Sequence, residues 1–186
     1  MGYEYIGPNL RGQAKRDKRK EVRVGTHEFV VRLIMDQLFP NVVIEHGMGI
    51  ASTPLFHGYT SLKRLISLED DQQWASCKSC PSMLQHDIMS YDKLTDDMMN
   101  DAVFLFLDGP DAQRRDLLPR AINASISVIV EHDAESFDSE RVEFVRSCCS
   151  AGGYVAMQYI CENPETVIYV RDDVSLNLDA EKFKTF

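Results

Sequence analysis

Two glycines follow an acidic residue at the end of a short apolar run, in a stretch that could cradle a nucleoside cofactor. Glu45 ends the run, which is typical of a strand buried on both faces. Gly47 and Gly49 would let the backbone turn tightly and approach a ligand closely. Ser52 or Thr53 could cap the helix that follows. A plain tight turn between strand and helix would show the same glycines, so this stretch alone leaves both interpretations open.

A run of three carboxylates follows the next apolar stretch along the chain. Glu69 stands where a nucleoside-binding fold places a carboxylate that accepts hydrogen bonds from both ribose hydroxyls. Asp70 and Asp71 come next, and Trp74 stands on what reads as a new helix. The helix dipole also favours acidic residues at this place. Both interpretations can hold together because the run contains three carboxylates.

Titratable residues also end the two later apolar runs of the sequence. Asp108 follows the first of them, and His132 and Asp133 follow the second. The carboxyl ends of parallel strands meet at one edge of a sheet, so these residues should face the same edge as Glu45 and Glu69. We predict Asp108, His132 and Asp133 as catalytic residues, with His132 or Asp133 removing a proton. Turn formation and helix capping are the structural alternatives.

The elements that must position these residues alternate between strand and helix patterns. The sequence therefore predicts an α/β fold, a three-layer sandwich with a mostly parallel seven-stranded sheet. Residues 154–161 and 166–171 read as a C-terminal antiparallel hairpin with a loop at 162–165. The third strand is expected at 83–88. The polar tail, residues 172–186, is expected to pack loosely.

Three motifs in this order resemble one family. They are Glu45-His-Gly-Met-Gly-Ile-Ala-Ser-Thr, Ile66-Ser-Leu-Glu-Asp-Asp-Gln-Gln-Trp74 and Phe106-Leu-Asp-Gly-Pro110. Over residues 26–172 the chain resembles the class I S-adenosylmethionine-dependent methyltransferases. The resemblance implies S-adenosylmethionine as cofactor and a closing antiparallel hairpin. The implied function is transfer of a methyl group to a hydroxyl or amine of a small-molecule acceptor.

The resemblance also assigns roles around the cofactor. Trp74 would flank the adenine, although packing in the core would also explain it. Asp87 would accept from the adenine amino group, or it could be only a turn residue, and the backbone amide of Ile88 would meet the ring. Glu45 and Asp108 would lie near the positive sulfonium and the methionine ammonium. The full set of predicted cofactor-binding residues is Glu45, Gly47, Gly49, Ser52, Thr53, Glu69, Asp70, Trp74, Asp87, Ile88 and Asp108.

Some members of this family bind a metal ion through aspartates after their fourth and fifth strands. Asp108 and Asp133 occupy those places, but the sequence offers no evident third ligand. We therefore assign no metal ligands, and the sequence leaves the use of a divalent metal open.

Charge and length bound the remaining expectations. The chain has 186 residues and a formal charge of −9, which argues against general nucleic-acid binding. We expect a basic arm, residues 1–25, and a single domain, residues 26–186. Residues 11–23 hold seven basic and two acidic side chains and could contact phosphate, or they could be simply solvated. A nucleic-acid or phosphate-bearing substrate is thus the second choice of acceptor. With no apolar run long enough to span a bilayer, we expect a cytoplasmic protein without a membrane partner.

Two other classes of protein share part of this pattern. Residues 47–52 nearly match the dinucleotide motif G-x-G-x-x-G/A, which leaves an NAD- or nucleotide-binding α/β enzyme as an alternative. The short chain and the closing hairpin argue against that class. A noncatalytic S-adenosylmethionine-binding protein would show the same motifs. The sequence leaves the oligomeric state open.

Overall fold

The computed structural model describes residues 27–78, 84–133, 138–160 and 166–185. The helices within these ranges are α1 (Glu28–Leu38), α2 (Ser52–His57), α3 (Gln72–Lys78), α4 (Asp96–Asn100), α5 (Asp111–Asn123) and α6 (Ser139–Gly152). The strands are β1 (Val42–His46), β2 (Arg64–Leu68), β3 (Gln85–Met89), β4 (Phe104–Leu107), β5 (Val128–Glu131), β6 (Tyr154–Tyr159), β7 (Thr166–Arg171) and β8 (Phe183–Thr185). The basic arm lies outside the described residues.

All eight strands form one sheet in the order β3-β2-β1-β4-β5-β7-β6-β8. The first five run parallel to their neighbours. β7 enters antiparallel between β5 and β6. The predicted α/β class and its closing hairpin are confirmed, since Tyr154 pairs with Arg171 and Tyr159 with Thr166. The predicted hairpin loop, 162–165, lies outside the described residues.

The sheet has one strand more than the seven predicted. β8 pairs antiparallel with β6, where Phe183 lies opposite Tyr159 with ring centroids 5.1 Å apart. Phe183 is buried, and Leu176 and Leu178 pack against the same apolar cluster. The expectation of a loosely packed tail is therefore wrong for this segment. Its few apolar side chains are spaced so that they cover the end of the sheet.

Two apolar clusters, one on each face of the sheet, form the core. α1 and α2 pack on the face that carries Val43, Leu65 and Phe104. α5 and α6 pack on the opposite face, with Ile44 and Leu105. Because both faces are covered, the central strands are apolar throughout, as is usual for parallel sheets. Among the described helices, none is long and apolar enough to cross a membrane.

The carboxyl ends of the central parallel strands reach one edge of the sheet. The ladder continues past the strands, because the backbone N–H groups of Gly47, Asp108 and His132 donate to the neighbouring strand at 3.0, 2.8 and 2.9 Å. Glu69 extends β2 in the same way, donating to the backbone of Met89 at 2.9 Å. The residues that follow β1, β2, β4 and β5 are thus brought side by side, as ligand-binding α/β sheets require.

Candidate active site

Two adjoining cavities lie at this edge of the sheet. The first has a volume of about 280 Å³ and is lined by His46, Gly47, Met48, Leu68, Glu69, Asp70, Asp108, Gly109, Pro110 and Gln113. The second has a volume of about 320 Å³ and is lined by Glu69, Asp70, Gln72, Ala75, Ile88, Met89 and Ser90. Glu69 and Asp70 border both. An elongated ligand with two chemically different ends would therefore fit across these two residues.

The glycine loop lies directly against the turn after β4. Gly47 has a φ of 83°, a conformation that residues with a side chain rarely adopt. A Cβ at this position would lie 2.7 Å from the backbone nitrogen of Gly109. Gly49 contacts the start of α2 instead, where a Cβ would lie 2.5 Å from Ser52 Oγ. Gly47 therefore brings the loop to the first cavity, and Gly49 lets α2 begin close behind it.

Glu45 lies beneath this loop. Its carboxylate is fully buried and accepts hydrogen bonds from Ser52 Oγ at 2.6 Å, Thr53 Oγ1 at 2.9 Å and Ser67 Oγ at 2.7 Å. Burial raises the pKa of Glu45 to about 7, although these hydroxyl bonds act in the opposite direction. Glu45, Ser52 and Thr53 line neither cavity. These three residues therefore hold the loop against α2 and β2. The sequence instead predicts that they contact the cofactor directly.

Two histidines extend this buried network away from the cavities. His86 Nε2 lies 2.8 Å from Ser67 Oγ, and His86 Nδ1 lies 3.0 Å from His57 Nε2. Desolvation is the main cause that lowers the pKa of His86 to about 4, followed by the nearby His57. A neutral His86 can donate to Ser67, which in turn donates to Glu45. Neither histidine is among the residues predicted from the sequence to bind the cofactor or to act in catalysis.

Glu69 is positioned by two backbone groups. Its Oε2 accepts from the N–H of Met48 at 3.2 Å, and its Oε1 accepts from the N–H of Asp71 at 2.9 Å. Each carboxylate oxygen can accept a further hydrogen bond. Glu69 is therefore held between the glycine loop and the start of α3, where the sequence predicts the ribose-binding carboxylate.

Asp70 links the end of β2 to two other elements. Its Oδ1 accepts from the N–H of Tyr91 at 3.0 Å, and its Oδ2 accepts from Gln113 Nε2 at 2.9 Å. The amide oxygen of Gln113 lies 2.8 Å from His46 Nε2. Burial lowers the pKa of His46, and the absence of a side chain at Gly109 leaves room for its ring. Sequence reasoning missed His46 and Gln113 as cavity residues, although His46 stands inside the glycine-loop motif.

The three predicted catalytic residues meet at the far side of the first cavity. His132 Nδ1 lies 3.0 Å from Asp108 Oδ1 and 3.4 Å from Asp133 Oδ1. His132 is buried, and its backbone oxygen accepts from Arg114 Nη1 at 2.6 Å. Asp133 is exposed and has a positive φ of 57°. Only Asp108 of the three lines the first cavity, so it connects this cluster to any ligand bound there.

Several solved structures with the same fold are described as methyltransferases, and their sequence identity to this chain is low. The methyltransferase domain of bacterial CtHen1-C matches with a TM-score of 0.58 and 7% identity, covering 79% of this chain and 98% of its own. A protein assigned as a caffeoyl-CoA O-methyltransferase from Staphylococcus aureus matches with a TM-score of 0.55 and 15% identity, covering 87% and 90%. One assigned as an O-methyltransferase from Klebsiella pneumoniae matches with a TM-score of 0.56 and 13% identity, covering 87% and 86%.

The chain has the class I methyltransferase fold. No protein-family model and no curated protein matches the sequence. At identities of 7 to 15% the likeness establishes the fold alone. The side chains at the carboxyl edge of this methyltransferase fold are the features that indicate a function.

Trp74 and Ile88 lie near the second cavity of the methyltransferase fold. Ile88 lines that cavity. Trp74 Nε1 donates to the backbone oxygen of Met48 at 2.6 Å, and 40% of its surface is exposed. Trp74 therefore joins α3 to the glycine loop, and it does not line either cavity.

Asp87 does not reach the cavities of the methyltransferase fold. β3 continues to Met89, so Asp87 lies inside the strand, opposite Ile66. Its carboxylate is paired with Arg64 Nε at 2.7 Å. The sequence predicts the third strand at 83–88, and its predicted end, Ile88, is one residue before the observed end, so Asp87 lies within β3 and not at its end. In the structure, the cavity is bordered by the end of β3 and the residue after it, Ser90.

Two further residues lie close to the end of β5. Glu131 is buried on the opposite face, where it pairs with Arg141 Nη2 at 2.8 Å and accepts from the hydroxyl of Tyr169 at 2.6 Å. It therefore belongs to the core and not to the cluster of predicted catalytic residues. His27, directly before α1, takes a place there instead, with its ring centroid 4.6 Å from that of His132. No spacing in the sequence brings His27 to residues that follow β4 and β5.

Proposed function

We propose that the protein is a methyltransferase that uses S-adenosylmethionine and methylates a hydroxyl or amine of a small molecule. The observation that carries the proposal is the position of Glu69 between the glycine loop and two adjoining cavities. A carboxylate there can accept both ribose hydroxyls of a nucleoside, with the base on one side and the rest of the ligand on the other.

The two cavities suit the two ends of S-adenosylmethionine. The second cavity includes Ile88 and Ala75, apolar side chains that an adenine ring can pack against. The first cavity includes Asp70 and Asp108, whose negative charges would attract the sulfonium and the methionine ammonium. Gly47 allows the backbone to approach the ligand between them.

The acceptor would enter beside Asp108. Methyl transfer is an in-line displacement, so the protein must hold the acceptor opposite the sulfonium and remove its proton. Asp108, His132 and Asp133 lie together at this side of the first cavity. His132 and Asp133 remain the predicted proton acceptors. A nucleic-acid or phosphate-bearing acceptor, engaged by the basic residues 11–23, remains the second choice.

An assay of S-adenosylhomocysteine formation tests the proposal. Purified protein would be incubated with S-adenosylmethionine and a panel of vicinal diols, phenols, amines and short RNA oligonucleotides. We expect turnover with at least one hydroxyl- or amine-bearing small molecule, and a large loss of that turnover in Asp108→Asn. Turnover with RNA and with none of the small molecules would show that the acceptor is a nucleic acid, the second choice. Binding of S-adenosylmethionine without turnover on any substrate would favour a noncatalytic binding protein.

A further inference from the structure

His27 is a buried histidine whose ring has no hydrogen-bond partner among the described residues. Only 4% of its surface is exposed, and both Nδ1 and Nε2 are unpartnered there. Burying a polar group without a partner is costly, so native proteins seldom leave one in this state. The ring lies against His132 and, at 4.8 Å between centroids, Phe106. It is thus held beside the catalytic cluster with a nitrogen lone pair to offer.

Three separate elements converge on this point. His27 precedes α1, Asp108 follows β4 and His132 follows β5, and each offers one ligand atom within 4.8 Å of the other two. His132 Nδ1 lies 3.0 Å from Asp108 Oδ1. Two ligand atoms that bind one ion at right angles, each at about 2.1 Å, are separated by about the same distance. Opposite ligands would be about 4.2 Å apart, so the most distant pair needs only a small side-chain rotation.

We propose that His27, Asp108 and His132 bind a divalent first-row transition-metal ion. Two imidazoles and one carboxylate suit zinc, cobalt, manganese or iron, whereas magnesium and calcium prefer oxygen ligands throughout. Three protein ligands leave coordination positions open, which is the pattern of sites that act on a substrate. Because Asp108 also lines the first cavity, an ion held by it would lie beside that cavity.

The role of the ion rests on the proposed function. A hydroxyl acceptor would coordinate to it, which lowers the pKa of the hydroxyl and lets its proton pass to the exposed Asp133 or to solvent. The resulting oxyanion forms its bond to the methyl carbon as the bond from that carbon to sulfur breaks, leaving neutral S-adenosylhomocysteine. In the metal-bound protein His132 would therefore be a ligand and not the proton acceptor. Coordination to the ion would instead make the acceptor hydroxyl lose its proton.

Cobalt(II) titration of the chelator-treated full-length protein tests the site directly. We expect one Co²⁺ per chain in calorimetry, with visible d–d absorption and no thiolate-to-cobalt charge-transfer band. That last feature separates the site from one built by the five cysteines of the chain. His27→Gln and Asp108→Asn should each weaken binding at least tenfold. His57→Gln, in the other histidine pair, is the matched control and should bind Co²⁺ as the unaltered protein does.

Two results would overturn the proposal. One is the absence of stoichiometric Co²⁺ or Zn²⁺ binding; the other is binding that survives both His27→Gln and Asp108→Asn. If His27→Gln does not fold, Asp108→Asn and the rise in unfolding temperature on adding Zn²⁺ supply the same readout. S-Adenosylhomocysteine binding is measured on the same samples. Metal binding without S-adenosylhomocysteine binding would contradict the proposed function but support the ion site. S-Adenosylhomocysteine binding without metal binding would contradict only the ion site.

Discussion

Glu69 is the residue on which cofactor binding depends most directly in the proposed arrangement. Glu69→Ala removes charge-assisted hydrogen bonds to the ribose, each worth about 1.5–3 kcal/mol. We expect the affinity for S-adenosylhomocysteine to fall at least tenfold in calorimetry, with far-ultraviolet circular dichroism unchanged. Equal affinity in the variant and the unaltered protein would show that Glu69 does not bind the ribose.

Asp87→Asn is the matched control for Glu69, because it changes a nearby carboxylate that pairs with Arg64 and lines neither cavity. Asp87 is only partly buried, and its pair with Arg64 should contribute no more than about 1 kcal/mol to stability. We expect its affinity for S-adenosylhomocysteine to equal that of the unaltered protein. A clear loss of affinity would restore the adenine contact that the sequence predicts for Asp87.

Glu45 should make stability depend on pH in an unusual direction for a carboxylate. Its pKa is raised from 4.5 to about 7 in the folded protein, so between these values the folded state binds more protons than the unfolded state. This contribution to the free energy of unfolding is therefore fully present below pH 4.5. It is lost as the pH rises towards 7, by roughly 3 kcal/mol in total.

Glu45→Gln removes this titration while keeping the shape of the side chain. The measured quantity is the free energy of unfolding in urea, compared between variant and unaltered protein at several pH values. We expect the variant to gain stability relative to the unaltered protein by roughly 3 kcal/mol from below pH 4.5 to above pH 7. His86 titrates in both proteins and so largely cancels in the difference. A difference that stays constant over this range would contradict the buried, proton-binding Glu45.

At the scale of secondary structure, β8 is the element whose contribution is easiest to isolate. Phe183→Ala empties a buried site against Tyr159 and should lower the free energy of unfolding by about 3 kcal/mol. Lys184→Ala, on the exposed neighbouring residue, is the control and should change it by less than about 0.5 kcal/mol. Because β8 lies at the far end of the sheet from β1, S-adenosylhomocysteine affinity should not change in either variant. Equal stability of the two variants would show that β8 does not pack as described.

The sequence predicts elements well where apolar runs are unbroken. The runs that became β1, β2, β4 and β5 are buried on both faces, so their composition identifies them. β3 is partly exposed and mixed in composition, and its end is one residue later than predicted, so Asp87 lies within the strand and lines neither cavity. β8 has only three residues, too few for an alternation to be visible.

At the scale of the whole molecule, the same contrast applies to the site. Glu69, Asp108 and His132 could be placed because each ends a parallel strand, and strand ends meet at one edge. Glu45 looked equally suitable, but hydroxyls from α2 and β2 enclose its carboxylate, which no spacing reveals. His27 precedes the first residue of α1 and does not follow a strand, so only tertiary packing brings it to Asp108 and His132.

The basic arm gives a prediction about the chain as a whole. Every described residue that lines the two cavities belongs to the segment from His46 to Gln113. Deleting residues 1–23 should therefore leave S-adenosylhomocysteine affinity nearly unchanged. If the arm binds a phosphate-bearing acceptor, turnover of that acceptor should fall, and high salt should mimic the deletion in the full-length protein. Loss of cofactor binding in a folded truncated protein would make the arm part of the cofactor site.

The central claim is that the paired cavities around Glu69 bind S-adenosylmethionine and not another nucleotide cofactor. Calorimetry of the unaltered protein with S-adenosylhomocysteine and, separately, with NAD tests it most directly. We predict saturable binding of S-adenosylhomocysteine at one site per chain and no binding of NAD at the same concentrations. Binding of NAD without binding of S-adenosylhomocysteine would contradict the account.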